Sequence, residues 1–187
     1  MKFYKALKSV KLKKYSEVNK NQFAITFYSK SEFKSSELFD KELKKKVSNF
    51  FVDEKRSSLF LSKELTGLKG DFLVLRDFSK DKSDYKKYSW MKGLFANLDK
   101  YAVENAVIYV DTSHLSKDDN FLFNLAKTAE KVSYRYTDTN PNTKKELILK
   151  NVSLAVENAT SAQKRVVELG YNVGSCLLYT SPSPRDS

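Results

Sequence analysis

The sequence predicts an α/β fold in which helices flank a mixed β-sheet, and three observations carry that expectation. The first is a strand–helix–strand run between residues 70 and 111. Asp71-Phe-Leu-Val-Leu-Arg-Asp-Phe78 has the length and apolar content of a buried strand. Tyr85, Tyr88, Met91, Phe95, Leu98 and Ala102 then recur at three- and four-residue steps, which places them on one helix face, with Phe95 and Leu98 towards the sheet. Asn105-Ala-Val-Ile-Tyr-Val-Asp111 follows as a β-branched run ending in an acid. A βαβ unit takes parallel strands and a right-handed crossover by default. The second observation is that helical and strand patterns keep alternating on both sides of this unit. The third is composition: hydrophobic residues make up 41% of 187 and aromatics 13%, enough to build a core.

Taken in order, residues 1–12 alternate lysine with Phe3, Tyr4, Leu7, Val10 and Leu12 and read as a first strand. Residues 13–22 are polar and turn-like, and Phe23-Ala-Ile-Thr-Phe-Tyr28 is a second strand by its β-branched and aromatic content. A helix is expected over 37–51, with Phe39, Leu43, Val47 and Phe50 as its apolar stripe. Its acids Glu37 and Asp40 come early and Lys44, Lys45 and Lys46 come late, as the helix dipole favours. Residues 58–62 form a short strand, and Thr66-Gly67 and Lys69-Gly70 mark turns. Asp81 or Ser83 caps the central helix, inside which Gly93 points to close packing.

Ser116 and Asp119 form a capping box for a helix carried by Phe121, Leu122, Leu125, Ala129, Val132 and Tyr136. Asn140-Pro141-Asn142 is a turn, and residues 146–156 form a long strand or two with a bend. Thr160 and Gln163 open a last helix through Leu169, with Gly170 as its C-cap.

Composition excludes more chemistry than it suggests. Cys176 is the only cysteine and His114 the only histidine, so neither an intrachain disulfide nor a thiolate metal cluster can be assembled. No Gly-rich phosphate loop, Gly-x-Ser-x-Gly elbow or His-Glu-x-x-His motif occurs, and the five glycines are scattered. Asp53-Glu54 and Asp118-Asp119 are adjacent acids of the kind that cap helices and turns. No catalytic and no metal-ligating residue is assigned.

The net charge is +11 with Arg scarce, so the charge is mainly lysine, which suits solubility better than the bidentate reading of bases. Lys8, Lys11, Lys13, Lys14, Lys44, Lys45 and Lys46 form a candidate basic patch. Any DNA binding through it is expected to be weak, insensitive to sequence and steeply salt-dependent. No apolar run approaches the roughly 18–20 residues that span a bilayer, and residues 1–10 lack the features of a signal peptide. The expectation is a cytoplasmic protein with no membrane partner.

The last residues, Cys176-Leu-Leu-Tyr-Thr-Ser-Pro-Ser-Pro-Arg-Asp-Ser187, hold the cysteine and two of the three prolines. Their back-translation resembles the transposase adapter of sequencing libraries, so residues 176–187 are expected to be an artefact that packs against nothing.

Several stretches resemble the N-terminal domain of the leucine (cytosol) aminopeptidase family. Residues 71–80 lie where that family has an apolar strand running into a Gly-Leu-Gly turn, although Arg76-Asp77-Phe78 departs from it. Asn105-Ala-Val-Ile-Tyr-Val-Asp111 corresponds to the family's next strand. Ala129-Glu-Lys-Val-Ser-Tyr-Arg-Tyr-Thr-Asp138 resembles a family helix ending in Tyr-Arg-Phe-Asp, followed by a lysine-containing loop and the strand 147–156. Gln163-Lys-Arg-Val-Val-Glu-Leu-Gly170 resembles the helix leading into the catalytic domain.

The resemblance implies a macro-like domain over 1–157 and, over 158–175, the start of a linker helix towards a catalytic domain absent from this chain. It further implies a non-catalytic assembly or regulatory role in a two-metal leucyl aminopeptidase. The partners would be that catalytic domain and the other subunits of a homo-hexamer. The two divalent ions, zinc or manganese, would sit outside this chain. The alternatives are a basic nucleic-acid-binding module and a free-standing macro-like nucleotide-binding module.

Overall fold

A computed structural model describes residues 3–5, 7–29, 38–77, 83–111, 115, 120–136 and 148–180. The strands are β1 (Phe3–Lys5), β2 (Ser9–Lys14), β3 (Phe23–Tyr28), β4 (Ser58–Leu61), β5 (Phe72–Arg76), β6 (Asn105–Tyr109), β7 (Tyr134–Tyr136) and β8 (Asn151–Val156). The helices are α1 (Lys41–Phe50), α2 (Lys63–Thr66), α3 (Asp84–Lys100), α4 (Asn120–Ser133) and α5 (Ser161–Thr180). Six strands form one sheet in the order β2-β8-β6-β3-β5-β4, and β1 pairs with β7 in a separate two-stranded ribbon. Every neighbouring pair in the large sheet is parallel except β4–β5. The expected mixed α/β sheet is therefore present, and β5 and β6 are parallel strands with β3 between them.

The two faces of the sheet bury two sets of side chains. Ile25, Phe27, Leu73, Leu75, Ile108 and Leu154 point to one face, where Met91, Leu94, Phe95 and Leu98 of α3 and Leu122, Leu125 and Ala129 of α4 cover them. Ala24, Tyr28, Val74, Val107, Tyr109 and Ala155 point to the other, against Val47 of α1 and Phe51 just after it. A central parallel strand buried on both faces needs a continuous apolar run. That is why Phe23-Ala-Ile-Thr-Phe-Tyr28 shows no polar alternation.

Caps set several of the boundaries. Asp40 Oδ1 accepts from Leu43 N at 2.7 Å, so α1 starts at Lys41 rather than 37, and Phe39 is buried from outside the helix. The side chain of Ser83 caps α3. Thr160 and Gln163 form the expected reciprocal box, with Gln163 N donating to Thr160 Oγ1 and Thr160 N to Gln163 Oε1. The capping box proposed at Ser116 and Asp119, the turn at Asn140-Pro141-Asn142, Asp81 and His114 lie outside the described residues.

Several expectations are corrected. In place of one strand over 1–12 there are two in different sheets, Phe3–Lys5 and Ser9–Lys14, because β1 finds its antiparallel partner in β7 while β2 runs parallel to β8. Tyr136 does not extend α4: Tyr134-Arg-Tyr136 leaves the helix and pairs with Phe3–Lys5. The final strand covers Asn151–Val156 and residues 148–150 before it are not strand, while 146 and 147 lie outside the described residues.

On α3, Tyr85 is 79% exposed and Ala102 stands beyond the helix, so the buried stripe is Met91, Leu94, Phe95 and Leu98. A methyl group added at Gly93 would meet nothing within 4 Å, so close packing does not explain that glycine. Finally, Gly170 is not a C-cap, because α5 runs through it to Thr180. A Cβ there would collide with the carbonyl of Phe123, and one at Gly174 would come within 2.8 Å of Lys127 O. The two glycines stand one helical turn apart and let α4 and α5 approach backbone to backbone.

Candidate functional site

In an open sheet with parallel strands, ligands favour the crevice at the carboxyl ends where successive connections leave for opposite faces. Here the chain leaves β3 towards α1 on one face and leaves β6 towards α4 on the other. The switch point thus falls between β3 and β6. Tyr28 ends β3, Tyr109 ends β6 with Val110 and Asp111 just after it, Tyr15 follows β2 and Glu157 follows β8.

Tyr15 holds this edge together. Its hydroxyl donates to Val110 O at 3.1 Å, and its ring meets that of Tyr109 edge-on at 5.3 Å. Burial pushes the Tyr15 phenol well above the ordinary value of 10.0, and the charges of Asp111 and Glu157 and the neighbouring Tyr109 add to that. Burial raises Tyr109 as well. Both phenols therefore stay protonated at neutral pH, Tyr15 as a donor to Val110 and both as apolar walls.

Beside them Tyr28 stacks on Phe51 with centroids 4.6 Å apart, and the Arg76 guanidinium lies over the Phe51 ring at 5.3 Å. Arg76 Nη2 donates to Phe51 O at 2.7 Å and Asp53 O at 2.9 Å, and Nε donates to Arg56 O at 2.9 Å. Trp90 Nε1 donates to Arg76 O at 3.1 Å. The residue that departs from the Gly-Leu-Gly pattern thus closes the turn after α1.

The lysines of the candidate patch fall into two groups. Lys11, Lys13 and Lys14 lie on β2, one edge of the sheet, with Lys8 just before it. Lys44, Lys45 and Lys46 lie on α1, which packs beside β4 at the other edge. Lys46 forms an exposed ion pair with Glu42 at 2.9 Å. Of the two acidic pairs, Asp53 accepts from Lys55 N and pairs with Arg56, while Asp118-Asp119 lies outside the described residues. Among the described residues no three His, Cys, Asp or Glu side chains converge so as to hold a metal ion. These residues do not fit a two-metal hydrolytic centre. No helix among them is long and apolar enough to cross a membrane.

The tyrosine cluster went unrecognised in the sequence because residues 13–22 read as polar. The available signal was Tyr15 and Val18, two apolar side chains three residues apart in that stretch, both packed beneath the sheet.

No family model and no curated protein matches the sequence. Among solved structures, a tomato leucine aminopeptidase variant aligns with a TM-score of 0.63 and 13% identity, covering 91% of this chain and 37% of its own. The Oceanobacillus iheyensis macrodomain with ADP aligns at 0.57 and 8%, covering 97% of each chain. The macro domain of ganglioside induced differentiation associated protein 2 aligns at 0.54 and 10%, covering 87% of this chain and 84% of its own. This chain therefore spans little more than a third of the aminopeptidase it resembles. At these identities the likeness is one of architecture, and what it establishes is a macrodomain-like α/β fold.

Proposed function

We propose that this chain is the non-catalytic N-terminal domain of a leucyl aminopeptidase-type enzyme, with an assembly or regulatory role. The observation that carries the reading is the aminopeptidase alignment, at a TM-score of 0.63 against 0.54–0.57 for the macrodomains. The order of the resembling stretches along the sequence supports it. On this reading the two divalent ions, zinc or manganese, and the groups that hold them belong to a catalytic domain outside these residues. Hexamer formation and weak DNA binding belong to the whole enzyme. The deciding experiment is to read the uninterrupted gene beyond codon 175. An in-frame Asn-Thr-Asp-Ala-Glu-Gly-Arg-like segment is expected, and a stop codon directly after the adapter-like stretch would overturn the reading.

A second reading, a free-standing nucleotide-binding module, is favoured by the switch-point crevice with Tyr28, Tyr109 and Asp111 at its strand ends. The similar macrodomain structures include one with ADP and one with ADPR. Thermal melting with ADP-ribose separates the two readings. A ligand at about 100 times its Kd adds about 2.7 kcal/mol to stability, which a melting curve detects readily. The first reading expects no shift at millimolar ligand.

A further inference from the structure

The two edges of the large sheet are built differently. Edge strands expose unpaired backbone groups that invite another strand, and lysines along the edge are one way to refuse it. The β2 edge, Ser-Val-Lys-Leu-Lys-Lys14, carries three lysines. The β4 edge has no charged residue between Ser57 and Ser62. Arg76 N donates to Ser57 O at 2.8 Å, and opposed residues in an antiparallel ladder alternate between bonded and non-bonded pairs. Leu59 and Leu61 therefore turn their backbone groups to β5, and Ser58 and Phe60 turn theirs outward.

Alongside this edge a groove of about 410 Å³ runs between α1, β4 and α2, lined on its apolar side by Leu43, Val47, Phe50, Leu59, Leu61 and Leu65. Leu65 is 90% exposed, and on the opposite face Phe60 is 40% exposed against the Tyr101 ring at 5.0 Å. A strand laid on β4 would bury alternate side chains in the groove and against Phe60, which is the geometry of peptide recognition by strand addition.

A second copy of the chain is a poor occupant. Molecules of net charge +11 repel one another, and the charged residues nearest this edge, Arg56 on one side and Lys63 on the other, are basic in every copy. The same two residues flank the uncharged stretch at its two ends.

We propose that the outer edge of β4 takes an extended segment of a partner protein, apolar at alternate positions and acidic at both flanks. The probe is fluorescein-labelled Asp-Val-Thr-Val-Thr-Val-Asp, followed by anisotropy and by the backbone amide shifts of Ser58 and Phe60 in the full chain. Saturable binding that moves those two amides is expected, weakened by about tenfold or more when lysines replace the flanking acids. Ser58→Pro removes one outward N–H and no bond to β5, so it should weaken binding similarly while melting within about 2 °C of the parent. Leu65→Ser repeats the test without touching the backbone or the charge and should have the same effect. Unmoved amides at millimolar probe, or undiminished affinity in Leu65→Ser, would overturn the proposal. So would dimerisation of the peptide-free protein that Ser58→Pro abolishes, which would make the occupant a second copy.

Discussion

At the carboxyl edge the Arg76 side chain serves three carbonyls and one aromatic ring. Arg76→Met keeps the aliphatic stem but leaves those carbonyls without their charged donor. Hydrogen bonds to charged groups are worth about 1.5–3 kcal/mol each, less where water can replace the donor, so a loss of about 2 kcal/mol in urea unfolding is expected. Tyr15 predicts a pH effect. Its folded pKa is raised above the ordinary 10.0, so above that pH the unfolded chain gives up the proton while the folded chain keeps it. Its contribution to stability is full below about pH 10 and declines as the pH rises from there towards the folded pKa. Urea midpoints between about pH 9 and 11.5 should fall less steeply in Tyr15→Phe than in the parent, and parallel slopes would refute the assignment.

At the level of elements, three helix positions give opposite expectations. α3 ends in a Schellman arrangement, with Val103 N bonded to Leu98 O at 3.1 Å and Ala102 N to Asp99 O at 3.0 Å. The residue that must turn left-handed is Ala102, at φ 53°, where glycine is free of the Cβ clash. Ala102→Gly should therefore stabilise by up to about 1 kcal/mol, the strain relieved less the added chain entropy. Gly93 lies mid-helix with open space around it, so Gly93→Ala should add about 0.5–1 kcal/mol. Gly170→Ala should instead cost about 1–3 kcal/mol, because the new methyl meets the Phe123 backbone, which cannot rotate away. Thermal or chemical melts of the three variants check all the signs at once.

For the whole molecule, α5 ties the chain's end back to its beginning. Val167 is 1% exposed, Tyr171 Oη donates to Leu7 O at 3.1 Å, and Ser175 Oγ donates to Glu130 Oε1 at 3.2 Å. Cys176 is exposed, although the helix continues past it to Thr180. Chain 1–175 keeps all of those contacts and should melt within about 1 °C of the parent, whereas chain 1–169 loses the last two and should melt more than about 5 °C lower. A marked drop for 1–175 would show that residues beyond it carry packing of their own.

Much of the fold was legible in the residues. The continuous apolar runs of β3, β5 and β6 and the stripe from Met91 to Leu98 announce buried parallel strands under a helix, because burial on two faces leaves no room for polar alternation. Caps at Ser83 and Thr160 were equally local, since each is a side chain bonding to a backbone three residues away, whereas Asp40 reads as a first-turn acid until the structure shows it capping Leu43. Short aromatic stretches were not: Phe3–Lys5 and Tyr134–Tyr136 become strands only through each other, across the length of the chain. Nor could the sequence tell a capping glycine from one that admits a second helix, as Gly170 does, or show that an arginine would close a distant turn. The candidate site needed the tertiary structure most of all. Tyr15, Tyr28 and Tyr109 converge because of strand order, and strand order is decided by which faces pack together rather than by any residue's neighbours in sequence.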